Sequence, residues 1–154
     1  MRWNQGRPVL ERMLAGGDLR RVPPSRDLAD RLLSMARAHL RSAADICERD
    51  PDGGYAMAYD AARKALTAIL ENQGLRTAGG AHHLAVYSAV VAQLDPPLGA
   101  TLRPFDRMRR QRRAAEYPPV DAPELTAADV RDDLPKVLAI VELAAKVLDE
   151  MGPY

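Results

Sequence analysis

The sequence predicts an all-α protein, an antiparallel helical bundle of four long helices plus a short N-terminal helix. Aromatic residues make up only 5% of the chain while alanine and leucine are abundant, which is a helical composition. No stretch alternates apolar and polar residues as a strand does, and proline or glycine marks the links between segments. With 154 residues, the chain is long enough for one domain with a substantial core.

The chain divides into an N-terminal segment, residues 1–24, and a bundle, residues 25–154. A short helix is predicted from about Pro8 to Leu14, because Gly16 and Gly17 follow it. An extended linker that contains two prolines then leads into the bundle.

The first long helix is predicted from Ser25, a good N-cap residue, to about Glu48. Its apolar residues recur at helical spacing in two adjacent rows, which indicates a wide face turned toward the core. His39 lies at the edge of that face and is interpreted as a packed residue, not as a ligand. The two rows are Leu28, Leu32, Met35 and Ile46, and Leu33, Ala36, Leu40, Ala43 and Cys47.

Residues 50–54, Asp-Pro-Asp-Gly-Gly, are predicted to form a turn, and a second long helix to run from Tyr55 to Gln73. Gly74 then ends this helix as its C-terminal glycine. Arg63 either reaches a cleft or is solvated. The buried row of this helix is predicted to be Tyr55, Tyr59, Ala62, Leu66, Ile69 and Leu70.

A glycine-containing loop, residues 75–81, precedes a helix from about Ala81 to Leu94 that begins with His82 and His83. The loop lacks the lysine of a phosphate-binding P-loop, and no strand is predicted before it. Adjacent histidines point about 100° apart on a helix, so these two cannot share a metal as an i,i+4 pair would. Either one is a candidate to face the loop or the arginine-rich helix that follows.

That arginine-rich helix is predicted from Thr101, as N-cap, to the proline pair at 118–119. It carries six arginines between positions 103 and 113 against one acid, Asp106. Pro104 is expected in its first turn, where a missing N–H costs little.

Arg112 occupies the one step that is missing from the apolar stripe of Phe105, Met108 and Ala115. A helix that turns this stripe toward the core also turns Arg112 inward, which requires a partner or a water-filled cleft. Glu116 lies within i,i+4 reach of Arg112. The alternative is an arginine-rich solvated face that ends in an ion pair and has no function.

The last helix is predicted from Thr126, which begins a capping-box-like sequence with Asp129. Pro135 is expected either to kink this helix or to begin it anew after an aspartate cap. Its apolar residues repeat in steps of four and three: Val130, Leu134, Val137, Val141, Ala144, Leu148 and Met151.

Charge and cysteine usage exclude several classes of protein. The formal net charge of +1 gives no global electrostatic case for nucleic acid. Cys47 is the only cysteine, so neither an internal disulfide nor a cysteine-based metal site is expected. We expect no metal and no cofactor, no signal peptide, no membrane span and a cytoplasmic location.

Three segments together resemble the HEPN domain, the "higher eukaryote and prokaryote nucleotide-binding" helical bundle, in its small stand-alone bacterial form. They are AYDAARKALTAILENQGLR at 58–76, GGAHH at 79–83 and RMRRQRRAAEYPP at 107–119. The similarity covers roughly residues 20–150, in the order of elements that the family has.

The resemblance implies a homodimer with a cleft that binds RNA or nucleotide phosphate. Many HEPN proteins are metal-independent endoribonucleases, often toxins paired with a nucleotidyltransferase-type antitoxin. The arginine of the family motif falls on Arg112, the following position on Arg113, and the position usually taken by histidine on Tyr117. Glu116 and Tyr117 match an acid-tyrosine ending of other HEPN branches.

The chain departs from the ribonuclease motif, because no histidine follows Arg112. Phenols are poor bases at neutral pH, since their ordinary pKa is about 10. Cleavage would therefore need an imidazole from His82 or His83, or the carboxylate of Glu116. The resemblance gives Arg112, Glu116 and Tyr117 as candidate catalytic residues. The candidates for phosphate or RNA binding are Arg63, His82, His83, Arg109 and Arg113.

A second hypothesis is an interaction module without catalysis. In it Arg112, Glu116 and Tyr117 form a structural network, and the bundle dimerises or docks on a partner. A metal or redox carrier is disfavoured by the lone cysteine and the scattered histidines.

Overall fold

A computed structural model describes residues 4–121 and 123–154, together with their side chains except those of residues 114–116. Within this part of the chain, six helices and two short strands follow one another along the sequence. They are α1 (Arg7–Ala15), β1 (Leu19–Arg21), α2 (Arg26–Ile46), α3 (Pro51–Gln73), β2 (Leu75–Thr77), α4 (His82–Leu94), α5 (Gly99–Glu116) and α6 (Ala127–Glu150).

The all-α helical bundle that the sequence predicts is confirmed. The described residues form six helices, one more than the predicted total of four long helices and one short helix. The helix predicted from about Ala81 to Leu94 agrees with α4.

Helix α3 lies at the centre of the bundle, where it packs against α2, α4, α5 and α6. The predicted row from Tyr55 to Leu70 is buried throughout. Alanine side chains fill much of the buried α3 surface and let the neighbouring helices approach closely. Those with no exposed area are Ala58, Ala61, Ala62, Ala65 and Ala68.

The predicted turn at residues 50–54 is wrong, because these residues begin α3. The Asp50 carboxylate caps the helix by accepting a hydrogen bond of 2.9 Å from the backbone N–H of Gly53, and Pro51 takes the first helical position. A Cβ on Gly53 would lie 2.1 Å from that carboxylate, and one on Gly54 would lie 3.1 Å from Cys47 of α2. The two glycines therefore make room for a cap and a helix crossing.

The predicted linker before α2 and the predicted loop after α3 each contain a strand. β1 and β2 pair antiparallel, with Leu19 opposite Thr77 and Arg21 opposite Leu75. Leu19 and Leu75 are buried in the core. Strands of three residues are too short to show an alternating pattern, so the pairing depends on contacts distant in sequence.

Helix α2 buries one of its two predicted apolar rows more deeply than the other. Leu33, Ala36, Ala43 and Cys47 are buried, whereas Met35 of the other row is 39% exposed. The N-cap of α2 is as predicted, since the Ser25 hydroxyl accepts a hydrogen bond from Leu28 N–H.

The N-terminal segment packs on the bundle through Leu10 and Met13 of α1, which belong to the same core. Gly6 has a φ of +77°, and a Cβ at this position would lie 2.3 Å from the Ala92 carbonyl oxygen of α4. Only glycine combines this backbone conformation with so close an approach.

A reciprocal amide pair joins α3 to α4 in the buried interior. Gln73 Nε2 donates to Gln93 Oε1 at 2.7 Å, and Gln93 Nε2 donates to Gln73 Oε1 at 3.0 Å. Both side chains are almost fully buried, so each amide satisfies the other where water cannot reach.

Helix α5 begins at Gly99, two residues before the predicted N-cap, so Thr101 and Pro104 lie inside the helix. Phe105 and Met108 are fully buried, as the stripe predicts. The Ala115 side chain lies outside the described residues.

Helix α6 begins at Ala127, after Thr126 as N-cap in the predicted capping box. It continues through Pro135 without a break, so a fresh start after the aspartates is wrong. Asp133 is instead buried against α5, where Arg107 Nη1 donates to Asp133 Oδ2 at 3.2 Å. This ion pair joins the arginine-rich helix α5 to α6.

Among the helices that the structure describes, none combines the length and the apolar character needed to cross a membrane.

Candidate functional site

The side chain of Arg112 turns inward, as the apolar stripe of α5 predicts. Its guanidinium carbon lies 5.1 Å from the ring centroid of Tyr59, a fully buried residue of α3. A guanidinium over an aromatic face is attracted by the ring quadrupole. Arg112 is half-buried and borders a hollow, so its position differs from that of a solvated arginine.

Tyr59 connects Arg112 to the first turn of α4. Its hydroxyl oxygen lies 2.6 Å from His83 Nδ1, and the two rings stack with centroids 5.5 Å apart. Burial raises the pKa of Tyr59 to about 12, although the positive charge of Arg112 opposes this rise. The phenol is therefore neutral at physiological pH, and when it donates to Nδ1 the ring proton of His83 is on Nε2.

Two adjoining hollows form what we call the arginine cleft, between α3, α5 and the start of α4. The larger, about 750 Å³, is bordered by Arg63, His82 and Thr77. The smaller, about 420 Å³, is bordered by Tyr59, Arg112 and Tyr117. Both hollows share His83, Arg109 and Arg113.

The described residues that line the arginine cleft include four arginines and no carboxylate. Two of the arginines are held by acids outside the lining. Arg109 Nε and Nη2 donate to Asp106 at 3.0 and 2.8 Å, and Arg63 Nε donates to Asp60 at 3.0 Å. Fixed guanidinium groups of this kind are suited to bind the oxygens of a phosphate.

Asp60 anchors Arg63 at the edge of the cleft. In addition to Arg63 it contacts Lys64, and His39 Nε2 lies 3.4 Å from its Oδ2. Burial acts to raise the pKa of Asp60, but hydrogen bonds from Lys64 and Arg63 outweigh it and lower the pKa below its ordinary value. Asp60 therefore stays ionised and keeps Arg63 in place.

The remaining predicted site residues differ in their exposure and in the hollow that they border. Tyr117 is 80% exposed on the rim of the smaller hollow. His82 is exposed, with Nδ1 at 3.3 Å from Thr77 Oγ1, and borders the larger hollow away from Tyr59. The Glu116 side chain lies outside the described residues.

Tyr59 and Asp106 are functional candidates that the sequence reasoning missed. Tyr59 was assigned to the core only, although a buried phenol needs a hydrogen-bond partner and so marks a nearby polar site. Asp106 is the one acid within the arginine run, at i,i+3 and i,i+4 spacing from Arg109 and Arg110. That spacing was a usable signal for the ion pairs that the structure shows.

The fold and the site define a class, a helical bundle with an arginine-lined cleft that contains a tyrosine–histidine pair. Comparison with models of known protein families, with curated proteins and with solved structures found no match. In the part of the chain that the structure describes, no three histidine, cysteine or acidic side chains lie close enough together to hold a metal ion.

Proposed function

We propose that this protein binds RNA or a nucleotide through phosphate groups in the arginine cleft, as a HEPN-like protein. The observation that carries the proposal is the half-buried Arg112 over the Tyr59 ring, with Arg109 and Arg113 on the same hollow. Three guanidinium groups around one concave surface, with no carboxylate among its described lining residues, match a phosphate better than any other common ligand group.

We further propose that the protein cleaves the bound RNA, as a metal-independent endoribonuclease of the toxin type. The 2′-hydroxyl of RNA attacks the adjacent phosphorus and forms an O–P bond, while the bond from phosphorus to the 5′-oxygen breaks. A base takes the 2′ proton and an acid protonates the 5′-oxygen, which leaves a 2′,3′-cyclic phosphate and a 5′-hydroxyl. Arg112 stabilises the charge on the phosphate oxygens.

His83 supplies the imidazole that the α5 motif lacks. The 2.6 Å contact with Tyr59 holds its ring at the smaller hollow, which Arg112 borders from a different helix. Tyr117 on the rim and Glu116 remain candidates for the second proton transfer.

The resemblance to HEPN domains further supports a homodimer in which two such clefts meet, and a nucleotidyltransferase-type antitoxin as partner. Sedimentation of the purified protein tests the dimer. Expression in a bacterial host tests the toxin role. The wild type is expected to stop growth and Arg112→Ala to relieve the arrest.

RNA binding and cleavage in the presence of a chelator test the central proposal. The wild type is expected to bind single-stranded RNA with an affinity that falls as salt rises, and Arg112→Ala is expected to lose that binding. Arg31→Ala removes one exposed arginine of α2 and is the matched control. If Arg112→Ala binds RNA as the wild type does, the arginine cleft is not the binding site.

Cleavage is a separate outcome of the same experiment. Products that end in a cyclic phosphate, and that disappear with His83→Ala while binding persists, would support the ribonuclease. Binding by the wild type without products would leave a non-catalytic phosphate-binding protein.

A second candidate function is an interaction module in which Arg112 is structural. The contact of its guanidinium with the buried Tyr59 ring favours it, since such contacts stabilise by about 0.5–2 kcal/mol. In this case Arg112→Ala lowers the melting temperature and RNA leaves the wild-type melting temperature unchanged. In a binding protein, RNA raises the wild-type melting temperature and Arg112→Ala removes that increase.

A further inference from the structure

A second cationic groove lies on the other side of α5, between α4, α5 and α6. It has a volume of about 640 Å³, and we call it the α5–α6 groove. Among the described residues, four cationic side chains and one acid, Asp106, line this groove. The cations are Arg103, Arg107, Arg110 and Lys136.

The helical repeat separates the arginines of α5 into two sets. Positions 103, 107 and 110 follow i, i+4, i+7 spacing along one side, and these residues line the α5–α6 groove. Positions 109, 112 and 113 fall on the other side and line the arginine cleft. Helix α5 is therefore a ridge with a cationic hollow on each side.

Asp106 lies on this ridge and contacts one arginine of each set. Its Oδ1 lies 2.8 Å from Arg109 Nη2, and its Oδ2 lies 3.3 Å from Arg110 Nη2. One carboxylate thus contacts an arginine of each hollow, while it neutralises only one of the charges around it.

Two arginines of the α5–α6 groove are well placed to receive an anion. The Arg110 side chain is 68% exposed. Arg103 is exposed and has no ion-pair partner among the residues that the structure describes. By contrast, Arg107 forms an ion pair with the buried Asp133.

Tyr87 adds an aromatic ring to the α5–α6 groove. Its ring stacks on that of Phe105, with the ring centroids 5.7 Å apart, and Phe105 stacks on Tyr59 with centroids 5.2 Å apart. Tyr59 in turn stacks on His83. A row of four rings thus passes through the protein from one hollow to the other. Cationic grooves with aromatic side chains are typical of proteins that bind single-stranded nucleic acid.

We infer that the ligand is a single RNA strand that crosses α5, with phosphates in the arginine cleft on one side and in the α5–α6 groove on the other. This inference rests on the proposed function and narrows its ligand from RNA or nucleotide to a polynucleotide. A free nucleotide fills one hollow only. A helix is about 10–12 Å across and stacked nucleotides rise about 3.4 Å each, so on the order of four to six nucleotides span both hollows.

The length of the RNA tests the inference. The wild type is expected to bind an oligouridine of about eight nucleotides more tightly, and with a steeper salt dependence, than a diuridine phosphate. Arg103→Ala/Arg110→Ala is expected to bind the longer oligonucleotide about as weakly as the short one, and to bind the short one unchanged. The logarithmic salt slope for the longer RNA falls by about 1.4, since each single-strand phosphate contact contributes about 0.7.

The matched control is Arg31→Ala/Arg41→Ala, which removes the same charge from exposed positions of α2. If this control weakens binding as much as the α5 double variant does, the effect is one of net charge and the inference is overturned. The same follows if the α5 double variant binds the longer RNA as the wild type does, or if the two RNA lengths bind equally. In each of these cases Arg112→Ala still decides the proposed function by itself. A wild type that binds neither RNA overturns both.

Discussion

The ion pair between Arg107 and Asp133 should hold α5 against α6, and its removal should have a measurable cost. The Asp133 side chain is 5% exposed, and that of Arg107 is 44% exposed. Lys136 Nζ lies 3.4 Å from Asp133 Oδ1 and is the other cation in contact with this carboxylate among the described residues. Arg107→Ala therefore leaves a buried charge with one weaker partner.

The expected loss of unfolding free energy follows from these exposures. Removal of one partner of a fully buried pair costs about 3–5 kcal/mol. Because Arg107 is nearly half exposed and Lys136 remains, we expect about 2 kcal/mol for Arg107→Ala. For a domain of this size that corresponds to a fall in melting temperature of roughly 4–8 °C.

Urea unfolding followed by circular dichroism measures this loss. Arg110→Ala, on the same helix with a side chain that is 68% exposed, is the control and should change the free energy by less than about 0.5 kcal/mol. Arg107→Met/Asp133→Leu should recover most of the loss, since a buried pair can be replaced by apolar side chains. If Arg107→Ala costs no more than Arg110→Ala, the pair does not hold α5 on α6.

Three further predictions concern backbone, interior and pH. Gly6→Ala should cost about 2 kcal/mol or more in thermal unfolding, because its φ is +77° and a Cβ meets the α4 backbone at 2.3 Å. Gly17 has a φ of +83° but nothing within 4 Å of an added Cβ, so Gly17→Ala should cost less than Gly6→Ala. Equal costs would contradict the close approach of Gly6 to α4. Gln93→Leu leaves the buried amide of Gln73 without its partner and should cost about 1–3 kcal/mol by urea unfolding, partly recovered in Gln73→Leu/Gln93→Leu. Burial raises the pKa of Tyr59 from its ordinary value of about 10 to about 12. The folded state therefore holds the phenol proton more tightly than the unfolded state does. The stability that this difference provides is complete below about pH 10 and is lost as the pH rises toward 12. Urea midpoints of Tyr59→Phe should therefore fall less over that window than those of the wild type, and parallel curves would contradict the burial of this phenol.

Local signals in the sequence were sufficient to predict the helical core. The buried row of α3 from Tyr55 to Leu70 follows from helical periodicity, because a helix that is buried on most sides leaves few positions ambiguous. Ser25 and Thr126 were recognisable as caps, since a cap depends only on residues within one turn.

Features that depend on distant contacts were not predictable. The pairing of β1 with β2 is decided by neighbours far along the chain. The Asp50 cap was mistaken for a turn, because aspartate, proline and glycine serve both structures and only the crossing with α2 distinguishes them.

The candidate site was partly predictable for the same reason. The inward direction of Arg112 follows from its own helix, because the stripe of α5 fixes which side faces the core. The contact of Tyr59 with His83 joins residues 24 positions apart, and it depends on how α3 and α4 rotate against each other. The likeness to HEPN domains remains a prediction that RNA binding will test.

The row of buried alanines along α3 limits where this protein can change. Ala61 and Ala65 have no exposed area, so a larger side chain at either position must enter the packed interior and should cost about 1–3 kcal/mol through displaced neighbours. Exposed guanidinium groups on α5 meet no such steric limit. Drift in the sequence can therefore retune which anions this bundle attracts long before it can alter the spacing of its helices.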